Sequence, residues 1–208
     1  MLSSRVGHAL DPAILRVYRF LFRNKIIHPN VLSLIGVAFG MASSFCIAMD
    51  RPLAGAVTLF VSGMFDLMDG AVARTMNRMT IFGGFLDSVL DRYTDLFVTL
   101  GVFIHFARRG DTVYSAITFA AGIGIAVIPY AKARAEAASL NCNNGLLQRP
   151  ERIILIVVAL VFDLLRPVMI VLAVLTHVTV IQRILHVRKQ TVANDGQRAM
   201  SKGSEIGP

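Results

Sequence analysis

Apolar runs close to the roughly 20 residues that a helix needs to cross about 30 Å of hydrocarbon recur along this chain, separated by short polar breaks. One runs from Pro29 to Met49, and a second starts at Pro52 and reaches the polar connection around Asn77 to Thr80. Four more cover about 81 to 107, 112 to 137, 150 to 163 and 166 to 187. With 55% hydrophobic and 16% charged residues and a mean hydropathy of +0.62, the chain falls outside the range of ordinary soluble domains. The expectation is an all-α integral membrane fold with six transmembrane helices. The fifth run is short, and Asp163 to Pro167 reads as a turn or as a kink, so five spans is the rival count. The first run follows a basic stretch and lacks a small-residue cleavage pattern, so no removable secretory peptide is expected.

Residues 11 to 25 place Ile14, Leu15, Tyr18, Leu21 and Phe22 on one helical stripe and Arg16, Arg19 and Arg23 largely on another. That pattern predicts an amphipathic helix lying in the membrane interface. The domain reading is then an N-terminal cytoplasmic segment over 1–28 that contains this helix, a six-helix transmembrane domain over 29–189, and a polar, disordered cytoplasmic tail over 190–208.

Charge asymmetry orients the spans. Of the 21 basic residues, Arg92 falls within a span, four (Arg51, Arg108, Arg109 and Arg166) fall on one side, and the other sixteen share a side with both termini. By the positive-inside rule that side is cytoplasmic, in a multi-pass protein of the cell membrane. The pI near 10.2 is then explained by a basic face beside anionic lipid, and no nucleic acid partner is expected. Cys46 lies in an apolar run and Cys142 in a loop, a placement that argues against a disulfide framework or a zinc site.

The chain has 13 acidic residues, and five of them (Asp66, Asp69, Asp87, Asp91 and Asp95) fall in two otherwise apolar helices. Facing lipid, five carboxylates would cost on the order of 12 to 17 kcal/mol even on the lenient insertion scale. They must therefore face one another, a cation or a water-filled cavity. Asp66 and Asp69 are three residues apart, and Asp87, Asp91 and Asp95 follow in steps of four, so each set shares a helical face. The short connection near Asn77 to Thr80 makes the two helices antiparallel neighbours. Carboxylates this close cannot all ionise unless positive charge joins them, and two divalent ions of the hard, oxygen-seeking kind, magnesium with manganese as the alternative, would balance four of them. Gly70 and Gly83 each lie four residues from an aspartate and leave room for a ligand, while Arg74 can neutralise a phosphate. On charges alone, an intramembrane salt-bridge network or the ion or proton path of a small transporter remains an alternative.

The order of these residues adds a resemblance. Asp66, Asp69, Gly70, Ala73, Arg74, Gly83, Asp87 and Asp91 fill all eight fixed positions of the signature of the CDP-alcohol phosphotransferase family, over 26 residues. The hydropathy pattern is similar over almost the whole chain. Membership would imply metal-dependent transfer of a phosphatidyl group from a CDP-lipid such as CDP-diacylglycerol to an alcohol, with release of CMP. It would also imply a homodimer. By motif position, Asp66, Asp69, Asp87 and Asp91 resemble the metal ligands, and Asp91 also the general base. Asp69, Gly70, Ala73, Arg74 and Thr80 resemble CDP-lipid contacts, and Pro29, Asn30, Val31 and Leu32 the cytidine-side element. Asp95 stands outside the signature and reads as a partner for Arg92 or as a support behind the site.

The acceptor is read from other helix ends. Lys132 and Arg134 close the fourth segment, Arg149 and Arg152 open the fifth, and Arg183 lies near the end of the last. These cations suit a phosphorylated acceptor better than a neutral one. The strings KARAE, RPER and LDSVLDR resemble prokaryotic phosphatidylinositol phosphate synthases, which implies inositol 1-phosphate as acceptor and phosphatidylinositol phosphate as product. Phosphatidylglycerol phosphate synthase and archaetidylinositol phosphate synthase are the enzymatic alternatives.

Overall fold

The computed structural model describes residues 12, 14–20, 22, 27–75, 79–142, 145 and 147–204. Six long helices follow one another: α1 (Pro29–Ala48), α2 (Pro52–Thr75), α3 (Ile81–Arg108), α4 (Thr112–Ala137), α5 (Arg149–Val161) and α6 (Leu165–Ser204). Their starts follow local chemistry. Pro29 and Pro52 sit in first turns, where a missing N–H costs nothing. Thr80 caps α3 by accepting from the Gly83 N–H at 2.9 Å, Asp111 caps α4 at Tyr114, and Glu151 accepts from the Gln148 N–H at 2.6 Å ahead of α5.

Asp163, with φ of 55°, ends the α5 segment in a turn, so the Asp163 to Pro167 stretch separates two helices and does not kink one. The composition of residues 190–208 points to a disordered tail, yet α6 continues to Ser204. Among those residues Gln190, Ala193, Gln197, Arg198, Ala199 and Met200 are good helix formers, which extend a helix already nucleated by its apolar half.

Among the described residues, four helices are long and apolar enough to cross a membrane: α1, α2, α4 and the Leu165–Val192 part of α6. Large apolar side chains such as Phe45, Leu53, Val57, Phe60 and Phe119 point outward from them. The other two fail that criterion for different reasons: α3 carries Asp87, Asp91, Arg92 and Asp95, and α5 has 13 residues, about 20 Å at 1.5 Å per residue. The chain has the build of a multi-pass membrane protein.

The bundle packs α1 against α2 and α3, α2 against α5, α3 against α4, and α6 against α4 and α5. An apolar core fills the end marked by the α1–α2 turn, with Ile47, Leu59, Val102, Phe106, Leu160, Met169 and Leu172 buried together. At that end Asp50 lies 2.7 Å from His105 Nδ1 and 3.2 Å from Arg109 Nε, and Asp111 pairs with Arg166 at 3.0 Å. A Cβ on Gly101 would lie 2.5 Å from the Ser44 carbonyl oxygen, so the absence of a side chain lets α3 lie directly on α1. Gly122 and Gly124 likewise meet Thr99 and Thr176, so all three of these glycines serve contacts within the chain.

Residues 14–20 are helical. Ile14 and Tyr18 are buried with Leu32, Met68, Ala71 and Val72, while Arg16 and Arg19 are exposed, so the apolar stripe packs on α1 and α2. Leu21, Arg23 and most of residues 1–28 lie outside the described residues.

Candidate active site

The aspartates occupy the opposite end of the bundle from the apolar core. Asp66 and Asp69 project from one face of α2, and Asp87, Asp91 and Asp95 from one face of α3. Carboxylate oxygens of Asp66, Asp69 and Asp87 all lie within 4.8 Å of one another. Asp69 is buried, and Ser33 on α1 donates its hydroxyl to Asp69 Oδ2 at 2.5 Å. Ser33 was not among the residues singled out from sequence. It sits one turn after Pro29, where its Oγ also reaches the Pro29 carbonyl oxygen at 3.2 Å, and the sequence signal for it is a serine near the start of an apolar run that also holds Ser43 and Ser44.

From α5, Arg149 enters the cluster. Its Nη1 binds Asp66 Oδ1 and lies 2.8 Å from Asp91 Oδ1, and its Nε lies 3.6 Å from Asp95 Oδ1. Arg152 Nη2 donates to Asp95 Oδ2 at 2.6 Å. Arg92 instead turns back along α3 to the Ser88 carbonyl oxygen and Asp95 pairs with α5, so of the two readings of Asp95, partner of Arg92 or support behind the site, the first is not seen among the described residues. The physical reason is direction: successive turns of α3 point Asp87, Asp91 and Asp95 inward, whereas Arg92 is one residue off that stripe.

The five carboxylates thus outnumber the two guanidinium groups that pair with them among the described residues. The donors are carboxylate oxygens beside a serine hydroxyl, around a cavity of about 10 Å³ lined by Ser33, Asp66, Asp69, Asp87, Asp91 and Arg149 among others. Hard oxygen donors with excess negative charge fit a divalent cation.

A second cavity, of about 160 Å³, adjoins it on the far side of Asp69 and Asp87. Pro29, Asn30, Asp69, Gly70, Ala73, Arg74 and Thr80 line it, together with Met79, Gly83 and Gly84. A side chain at Gly83 would stand 2.9 Å from Thr80 Oγ1 and 3.4 Å from Asn30 Oδ1, within the cavity wall. Val31 and Leu32 do not line this space: Val31 is exposed, and Leu32 is fully buried under the N-terminal helical stretch. Consecutive residues on a helix point about 100° apart, so a four-residue element cannot present every member to one ligand. A third, apolar groove of about 290 Å³ runs between α2 and α5, lined by Phe60, Gly63, Met64, Leu67, Ile153, Val157 and others, and meets the site at Asp66.

The remaining cations are less convergent. Arg183 is buried, donates to the Ile128 carbonyl oxygen, and lies within electrostatic reach of Arg152. Lys132 pairs with Glu136 at 3.6 Å, and Arg134 is exposed.

Comparison with known proteins matches this geometry to a set of relatives. The sequence model for CDP-alcohol phosphatidyltransferase covers residues 26–185. An archaetidylinositol phosphate synthase from Pyrococcus horikoshii is 33% identical over 165 residues, spanning 79% of this chain and 85% of the relative. A phosphatidylinositol phosphate synthase from Mycobacteroides abscessus is 35% identical over 176 residues, spanning 80% of each. Among solved structures, the Mycobacterium tuberculosis phosphatidylinositol phosphate synthase with CDP-DAG bound superposes with a TM-score of 0.73 at 31% identity, covering 88% of this chain and 94% of that one. The same enzyme in complex with manganese and citrate gives a TM-score of 0.73 at 31% identity, covering 87% and 88%.

Proposed function

Because the chain belongs to the CDP-alcohol phosphatidyltransferase family, a family of divalent-metal-dependent transferases, we propose that it transfers a phosphatidyl group from CDP-diacylglycerol to inositol 1-phosphate, giving phosphatidylinositol phosphate and CMP. The observation that carries the acceptor is the position of Arg149, which touches Asp66 and Asp91 and so brings a phosphate-binding cation within one side chain of the carboxylate cluster. The names of the relatives support the same choice.

In this reading Asp66, Asp69, Asp87 and Asp91 hold two divalent cations, magnesium in the first instance, with manganese supported by the mycobacterial complex. When bound, such ions neutralise charge that develops on the phosphoryl and leaving-group oxygens. Asn30, Gly70, Ala73, Arg74 and Thr80 receive the CDP portion in the 160 Å³ cavity, where Arg74 faces its phosphates. The apolar α2–α5 groove takes an acyl chain beside the reacting phosphate. Arg149, Arg152 and Arg183, with Lys132 and Arg134 farther out, bind and orient the acceptor phosphate. The acceptor hydroxyl oxygen then bonds to the lipid-side phosphorus, the phosphorus–oxygen bond to CMP breaks with its electron pair leaving on CMP, and Asp91 takes the hydroxyl proton on a carboxylate oxygen.

The surrounding arrangement belongs to the same proposal. Six spans form the catalytic domain over 29–189, with α3 crossing because its charges face inward and α5 crossing as a short helix. The N-terminal helix lies in the interface, and the termini and site face the cytoplasm, as the distribution of basic residues favours. Homodimerisation is carried over from the family resemblance.

CMP release from CDP-diacylglycerol and magnesium, measured with inositol 1-phosphate, glycerol 3-phosphate and unphosphorylated inositol in turn, tests the acceptor. Inositol 1-phosphate is expected to be used, and turnover with glycerol 3-phosphate alone would sink the choice.

A further inference from the structure

Asp95 has no place in the eight-position signature, yet it is the carboxylate that organises α5. It lies one turn beyond Asp91 on α3 and outside the Asp66, Asp69 and Asp87 group. Its Oδ2 accepts from Arg152 Nη2 at 2.6 Å, with the two side chains 12% and 6% exposed. Its Oδ1 lies 3.6 Å from Arg149 Nε. Leu59, Val98, Ile125, Ile153 and Ile156 wall the space around this pair, so the attraction acts with little competition from water. Among the described residues, Asp95 is the carboxylate in ion-pair contact with Arg152, and removing one partner of a buried pair leaves the other charge uncompensated. Arg149 and Arg152 are three residues apart and share a face of α5, and each retains a buried Nε with no hydrogen-bond partner.

We propose that Asp95 is a positioning residue for acceptor recognition, its two carboxylate oxygens holding Arg152 and Arg149 in the poses that receive the acceptor phosphate. This rests on the reading of both arginines as acceptor ligands given above. Asp95 itself lines neither the nucleotide cavity nor the three-carboxylate group, so its direct contacts are with the two arginines, and the acceptor is the substrate on which its loss is expected to fall first.

The test is a KM comparison on the full chain in lipid nanodiscs. Wild type is assayed first with inositol 1-phosphate. Absence of product there rejects the acceptor reading by itself, and the variants are then measured on whichever phosphorylated alcohol is used. If no phosphorylated alcohol is used, the role of Asp95 is rejected as well. Asp95→Asn is expected to raise the acceptor KM at least tenfold while the CDP-diacylglycerol KM stays within twofold, and Asp95→Glu, which keeps the charge but shifts it, to fall between. An acceptor KM within twofold of wild type in Asp95→Asn, or equal losses for both substrates, overturns the proposal. If Asp95→Asn does not fold, Asp95→Glu decides: a raised acceptor KM with an unchanged CDP-diacylglycerol KM supports it, and an unchanged acceptor KM overturns it.

Discussion

Arg149 Nη1 lies 2.8 Å from Asp91 Oδ1, joining the start of α5 to the carboxylate proposed as the general base. On the proposed roles, an arginine that holds the acceptor phosphate beside the base would also align the attacking hydroxyl. Replacing Arg149 with Gln is expected to raise the inositol 1-phosphate KM about 10- to 100-fold, as loss of a charged hydrogen bond of about 1.5 to 3 kcal/mol implies. Arg149→Lys should recover little, because a single ammonium cannot meet Asp66 and Asp91 at the Nη1 position while keeping a second nitrogen, Nε, toward Asp95. Steady-state kinetics on both variants check this, and wild-type values for Arg149→Lys would contradict it.

The carboxylates should separate by role when metal binding is read independently of turnover. Asp69→Asn removes a member of the three-carboxylate group and is expected to weaken manganese binding, measured by electron paramagnetic resonance. Asp91→Asn should keep much of that binding through Asp66, Asp69 and Asp87 while lowering kcat by about 10²- to 10⁴-fold, the range for loss of a general base. Equal manganese loss in both variants would show that the roles do not divide this way.

Chelation should stop CMP release, and magnesium or manganese should restore it. Metal binding relieves repulsion among the clustered carboxylates, so it should also raise thermal stability. At a metal concentration about 100 times Kd the gain is about 2.7 kcal/mol. A melting temperature that does not respond to magnesium would argue against a resident cation.

Ser33 holds Asp69 by a 2.5 Å hydrogen bond from a helix outside the acidic pair. Partners that orient metal ligands are commonly worth 10- to 100-fold in affinity, so Ser33→Ala is expected to weaken manganese binding by about tenfold. Ser33→Thr, which keeps the hydroxyl, should lose less. Titration of manganese into the two variants provides the measurement.

Gly101→Ala sets a methyl group against the Ser44 backbone, where a Cβ would lie 2.5 Å from the carbonyl oxygen and 2.8 Å from Cα. Backbone cannot step aside as a side-chain tip can. The expected loss is about 1 to 3 kcal/mol, typical of overpacking, read as a fall in denaturation midpoint in detergent. Unchanged stability would mean that α1 and α3 can separate without penalty.

Much of the site could be read from spacing. Steps of three and four fixed which face of α2 and α3 carries each aspartate, and the polar break near Asn77 made those helices neighbours. The partner of Asp95 could not be read this way, because Arg92 is near in sequence while Arg152 is 57 residues away and nearer in space. Nor could the contribution of Ser33, since hydrogen bonding between α1 and α2 depends on how their faces meet. Leu32 shows the same limit in reverse: a motif-like position next to Val31, it points into an apolar cluster and away from the cavity.

By itself, the sequence determined the helical, lipid-compatible character of the chain and the need for compensating positive charge, because hydropathy and helical period act within a segment. Tertiary structure alone decided which cations meet which carboxylates. Arg149 and Arg152 enter from α5, Lys132 and Arg134 stay apart, and Asp95 turns to α5. Side chains far apart in sequence are brought to bonding distance by the packing of whole helices, and that packing is set by Gly101 on Ser44 and the apolar core at the opposite end of the bundle.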